Sequence, residues 1–385
     1  MPGRIFKWAV LLCKFDGEPK PPLFFREFVS GTALGSLNDY WRTMSYGKLD
    51  MSSCDIYGWF QMPFALDDPF FDPHKAKAEK VRLCKSLFAN SLTVDERAAF
   101  EAHDGFLVVL GADKGGSGQI GPLRNPDVLL DMNAFRSVFV AHETGHVLGF
   151  DHSFDTNPDP WDKDNDSRPG AYGDSHDIMS AEGFAGLPAT FDSPFGTAGP
   201  SLNALNRETM WWLPPERITT FTHSPGEPWW SQIYIAALNS PEALGALMVR
   251  IKAIGFGPLS DVEYCLEYRP RNGWDAGAAN DAVVIHMCLP NDKPRVMWSP
   301  NDQDWQAGNV FVDVARKLSI SMLRFTPTYA IVNILAGEVS INTMSVRRSL
   351  AHKVRLKDGL RSVGSAPFAS DKLRARLLTH PPQFS

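Results

Sequence analysis

The residues best suited to chemistry lie in one stretch, 141–152, which reads AHETGHVLGFDH. It holds His142, Glu143, His146, Gly149 and His152 in the spacing H-E-x-x-H-x-x-G-x-x-H. On a helix, side chains four apart share a face, one turn apart. His142 and His146 therefore point the same way and can bind one zinc ion at ~2.1 Å. Glu143 lies beside that site, placed as a general base toward a metal-activated water. Gly149 tolerates the left-handed conformation that ends a helix and turns the chain. That turn brings His152 back as a third ligand. Three protein nitrogens leave a fourth position open, which marks a catalytic rather than a structural zinc site.

Downstream comes Asp177-Ile178-Met179-Ser180. Zinc peptidases with the long histidine pattern carry a methionine turn there, and Met179 is the candidate. A core methionine is the ordinary alternative. Tyr172 and His176 precede the turn and read as core or surface residues.

Several elements must position these groups. Residues 7–15 read as a mostly apolar strand, followed by the loop GEPKPP. Residues 34–44 read as a helix with Leu37, Tyr40, Trp41 and Met44 on one face. A strand runs through 56–60 and a second helix from Asp72-Pro73 to about 89. Residues 105–111, GFLVVLG, are a continuous apolar run and so a buried strand. The glycine-rich stretch ADKGGSGQIGP lacks the Lys-Ser/Thr of a P-loop and reads as a rim loop. Residues 127–132 are expected as a short strand along the cleft edge, able to pair with a substrate backbone.

Between the histidines and Met179 lie Asp151, Asp155, Asp159, Asp162, Asp164, Asp166, Asp174 and Asp177. Clustered loop carboxylates suit Ca2+, but the glycine and glutamate of an EF-hand are missing, and a solvated loop is favoured over calcium. Residues 201–212 read as a helix ended by Pro214-Pro215, where a domain boundary is expected. From 216 to 345 short apolar strands alternate with turn residues, the pattern of a β-sandwich. Residues 346–385 form a basic tail with no clear element. The expected domains are thus 1–215, 216–345 and the tail 346–385.

A chain of 385 residues with 44% hydrophobic content is long enough for two cores. Its net charge of -6 gives no footprint for nucleic acid. No apolar run reaches membrane-spanning length. The apolar segment 8–12 is too short for a signal peptide, and localisation is left open. The five cysteines, Cys13, Cys54, Cys84, Cys265 and Cys288, make no disulfide framework, although Cys265 and Cys288 fall on adjacent expected strands.

With these residues in view, the chain resembles the metzincin zinc metallopeptidases, and among them the immune inhibitor A family and its relatives. HETGHVLGFDH and the DIMS turn carry the broader likeness. The narrower one rests on Asp39-Tyr40-Trp41 with Ser45-Tyr46-Gly47-Lys48-Leu49, on Tyr57-Gly58-Trp59, on residues 203–213, and on Tyr264-Cys265-Leu266-Glu267-Tyr268-Arg269 with Gly273 and Asp275. Together these span about residues 7 to 335. The resemblance implies an α+β fold: a metzincin-type domain with a mixed twisted sheet and helices, followed by an all-β sandwich-like domain. It implies a secreted, zinc-dependent endopeptidase with His142, His146 and His152 on zinc and Glu143 as base. The chain departs from the family in showing no signal peptide or propeptide. Some metzincins add a tyrosine ligand two residues after the methionine; Ala181 stands there.

The expected partner is a protein or peptide substrate, and the expected state a monomer. Two other classes remain: a zinc protein acting in binding or adhesion, and a zinc hydrolase of a non-peptide amide or glycoconjugate. Intact Glu143 argues against the first. The Trp pairs 211–212 and 229–230 would serve the second by stacking on sugars, with packed core the ordinary reading.

Overall fold

The computed structural model describes residues 4–15, 20–65, 67–72, 75–112, 118–120, 127–132, 135–156, 168–180, 189–257, 261–300 and 302–337. It is mixed α+β, with few helices and several sheets. The chain divides into two compact units. The first comprises Met1–His152, Asp177–Leu202 and Gly273–Gly277; the second comprises Ser153–His176, Asn203–Asn272 and Ala278–Ser385. The chain thus enters the second unit at Asn203, ahead of Pro214-Pro215, and exchanges two further segments. The basic tail, Ala181 and the aspartates at 159, 162, 164 and 166 lie outside the described residues.

In the first unit β1 (Trp8–Lys14) lies inside a five-stranded sheet. The elements that follow it are α1 (Pro22–Ser30), α2 (Leu37–Met44), β2 (Cys54–Gln61), α3 (Lys77–Ala89), α4 (Val94–Glu101), β3 (Gly105–Leu110), β4 (Gly118–Ile120), β5 (Asp127–Asp131) and α5 (Ser137–Val147). Strand order is β2-β1-β3-β5-β4. The first four are mutually parallel, and β4 runs antiparallel to β5. Parallel strands buried on both faces need unbroken apolar runs, and GFLVVL of β3 is buried throughout. One face packs Ala9, Leu11, Val108 and Leu129 against Val81, Cys84 and Phe100 of α3 and α4.

The expectation for residues 127–132 needs correction. β5 is interior, paired with β3 on one side and β4 on the other. The sheet edge is β4, three residues inside the glycine-rich stretch read as a rim loop. Three residues are too few to show a period of two among glycines.

The second unit begins with β6 (Phe154–Asp155) and α6 (Ala204–Thr209), followed by β7 (Ile218–His223), β8 (Trp229–Ala236), β9 (Met248–Ala253), β10 (Val262–Arg269), β11 (Ala282–Cys288), β12 (Arg295–Val296), β13 (Val310–Asp313), β14 (Leu318–Phe325) and β15 (Tyr329–Ala336). One sheet has the order β7-β9-β10-β11-β12-β6, the other β8-β15-β14-β13. Their inner faces share one core, with Ile251, Leu266 and Ile285 from the first and Ile320, Val332 and Ile334 from the second. This is the sandwich the alternating pattern predicts. The helix expected over 201–212 is shorter. It starts at Ala204, where Asn203 caps it by accepting from Asn206 N at 2.8 Å, and Trp211 leaves it with φ +57°.

The polar face of the six-stranded sheet carries a buried ionic layer. His286 Nε2 bonds Asp174 at 2.9 Å, His176 Nε2 bonds Asp304 at 2.8 Å, and Arg269 donates to Glu267 at 2.8 Å and to the His176 carbonyl at 2.7 Å. Burial alone would lower the His286 pKa. The Asp174 carboxylate outweighs it and lifts the imidazole to about 9. All five cysteines are free thiols, Cys265 and Cys288 among them. Among the described residues no helix is long and apolar enough to cross a membrane.

Candidate metal centre

Helix α5 is buried along nearly all of its eleven residues. Its spacing sets His142 and His146 on one face, with ring centroids 4.7 Å apart and Nε2 atoms 3.1 Å apart. The helix ends as the sequence requires. Gly149 sits at φ +97°, its N–H bonds the His146 carbonyl at 2.9 Å, and Phe150 N–H bonds the Gly145 carbonyl at 3.1 Å. This pair of closing bonds around a left-handed glycine is the Schellman motif. It returns His152 to the other two rings, at 4.8 Å from His146 and 5.6 Å from His142 between centroids. One ligand atom from each histidine lies within 4.8 Å of the others.

The outer nitrogens are fixed by backbone. His142 Nδ1 lies 2.9 Å from the Ile178 carbonyl, and His146 Nδ1 2.9 Å from the Phe150 carbonyl. A carbonyl only accepts, so each Nδ1 carries the hydrogen and each Nε2 presents a lone pair. Burial, chiefly, pulls the pKa of both imidazoles down to about 4, so they are neutral at physiological pH. With Nδ1 carrying the hydrogen on both rings, the two Nε2 lone pairs stand 3.1 Å apart and repel. A cation between them removes that conflict, and two nitrogens ~2.1 Å from one tetrahedral ion stand ~3.4 Å apart. The donor set therefore fits zinc. Glu143, only 8% exposed, follows His142 on the helix, and its charge favours protonated His146 against the effect of burial.

Met179 is fully buried against α5: a Cβ added at Gly145 would meet Met179 Sδ at 2.5 Å. Its turn is held by Asp177, whose Oδ1 accepts from Met179 N at 2.7 Å and whose carbonyl accepts from Ser180 N at 3.0 Å. A relay supports the same turn. Ser201 donates through N and Oγ to Asp275, at 3.0 Å each, and the Ser201 carbonyl accepts from Ile178 N at 3.3 Å. Ile178 in turn orients His142. Also against α5, Trp41 Nε1 donates to Thr144 Oγ1 at 2.9 Å, and the Trp41 ring stacks on Phe150 with centroids 6.0 Å apart.

The structure thus brings together His142, Glu143, His146, Gly149, His152 and Met179. His176 belongs to the Asp304 pair, a core role. Of the aspartate-rich stretch, Asp155 accepts from Trp298 Nε1 at 3.3 Å, Asp174 pairs with His286, and Asp177 builds the methionine turn. Among the described residues the three histidines are the one His/Cys/Asp/Glu group close enough to share an ion. Trp41, Ser201 and Asp275 are additions that spacing alone does not single out, because they reach the site from distant segments; Thr144 sits on α5 between the first two histidines and is marked only by the bond it accepts from Trp41. No protein-family model matches the chain. No curated protein matches it either.

Proposed function

We propose that this chain is a zinc-dependent endopeptidase of the metzincin kind, resembling the immune inhibitor A family in its sequence motifs. The convergence of His142, His146 and His152 beside Glu143 carries the reading. The three Nε2-bearing rings would hold the zinc. Bound there, zinc supplies Lewis acidity, making water a better nucleophile near neutral pH and polarising the scissile carbonyl. Glu143 accepts the proton of the attacking water and delivers it to the leaving amine nitrogen. The carbonyls of Ile178 and Phe150 hold His142 and His146 in the ligating tautomer. Met179 takes no chemical step; it is the packed floor that keeps α5 in place.

Casein digestion tests the reading. Cleavage should stop with a chelator and return on addition of zinc. Cleavage indifferent to the chelator, or none by zinc-loaded protein, would contradict it.

A further inference from the structure

The outer face of the four-stranded sheet is built from three rows across the strands. Along β8, Trp230, Gln232 and Tyr234 point away from the core, since their neighbours Ile233 and Ile235 join it. Opposite them on β15 stand Leu335, Asn333 and Ile331. Ser319 and Ser321 of β14 continue the first two rows. Trp230 is 59% exposed and Tyr234 47%. Neither ring is packed core, contrary to the ordinary reading of Trp230.

The chemistry of this face is specific. Four residues of strand separate the two rings by ~14 Å. The Tyr234 ring is braced edge-on by Tyr329, with centroids 5.3 Å apart. Between the rings, Gln232 Nε2 donates to Asn333 Oδ1 at 3.1 Å. That bond leaves the Gln232 carbonyl oxygen as an acceptor and the Asn333 amide as a donor for an incoming group. The rows of Trp230 and Gln232 hold no charged side chain among the described residues; Arg324 stands in the third row.

We infer that this face binds a linear, uncharged glycan. The absence of charge from the rows of Trp230 and Gln232 among the described residues, with Arg324 alone in the third row, matches a neutral ligand. Sugar rings present flat C–H faces that lie against the indole and phenol rings. Their hydroxyls both donate and accept, which matches the outward amide pair. The spacing of the two rings calls for a run of sugars rather than one. A protein partner would leave the amide pair in need of exact polar counterparts under an apolar seal. The activity proposed for the histidine centre is independent of this face.

Depletion of the full chain by insoluble cellulose and chitin, and retardation in gels containing xylan or mixed-linkage β-glucan, tests the inference. At least one of these polysaccharides should bind the wild type, with little response to added salt. Trp230→Ala/Tyr234→Ala should weaken binding roughly tenfold or more. The same variant should keep its circular dichroism, melting temperature and casein cleavage. No binding to any of the polysaccharides would overturn the inference. So would equal binding by the double variant. Self-association that the double variant abolishes, without glycan binding, would assign the face to a protein contact instead.

Discussion

Gly145 and Met179 meet so closely that the helix has no room for one methyl group: a Cβ on Gly145 would stand 2.5 Å from Met179 Sδ and 3.5 Å from Trp41 Cη2. A glycine inside a helix costs ~1 kcal/mol relative to alanine. Overpacking a buried site costs ~1–3 kcal/mol. The second effect wins, because Met179 is fully buried and cannot swing into solvent. Gly145→Ala should therefore lower the melting temperature and speed metal loss to a chelator. A variant that melts higher and keeps its metal would show that Met179 is free to repack.

A chain of hydrogen bonds links Asp275 to His142 of the candidate metal centre. The two Asp275 oxygens hold Ser201, Ser201 holds Ile178, and Ile178 holds the His142 ring. Removing a partner that orients a ligand typically costs ~10–100-fold in metal affinity. Asp275→Ala should lose affinity toward that range in a chelator competition. Asp275→Asn keeps an acceptor for Ser201 N and should fall between. Equal affinity in all three proteins would remove Asp275 from the relay.

The Asp174–His286 pair gives the second unit a pH signature. The folded His286 pKa, about 9, lies above the ordinary imidazole value of 6.5. Its contribution is fully present below 6.5 and is lost as pH rises through about 9. The folded Asp174 pKa is lowered: burial would raise it, but the His286 hydrogen bond and charge prevail. That contribution is present above 3.8 and is lost as pH falls. Denaturant unfolding should show stability declining on both sides, with the alkaline loss absent in His286→Gln. Breaking a buried pair leaves one charge unmatched, so that variant should lose ~3–5 kcal/mol near neutral pH. An unchanged alkaline slope would place the titrating group elsewhere.

The candidate metal centre is legible because its pattern is local. Residues 141–152 contain the three histidines, the proposed base and the helix-ending glycine, and one Schellman turn assembles them. The sandwich strands are legible because alternate burial writes a period of two into 229–236, 248–253 and 329–336. What the pattern hides is contact between distant segments. Asp275 lies far along the chain from Ser201, and β6 joins the six-stranded sheet from just past His152. Weak apolar contrast hides more: α4 buries only Phe100, and its surest mark is the capping box Thr93 to Glu96. Helix α2 starts at Leu37 rather than 34 because Gly35 takes φ +99° and Ser36 caps the first turn.

The most direct test of the central claim is zinc content, measured on wild type and Glu143→Ala, together with cleavage of an unfolded protein substrate by each. One zinc per chain in both proteins, with cleavage by the wild type and a loss of ~10²–10⁴-fold in the variant, is the predicted result. Wild-type protein that fails to hold zinc when it is supplied would contradict the account.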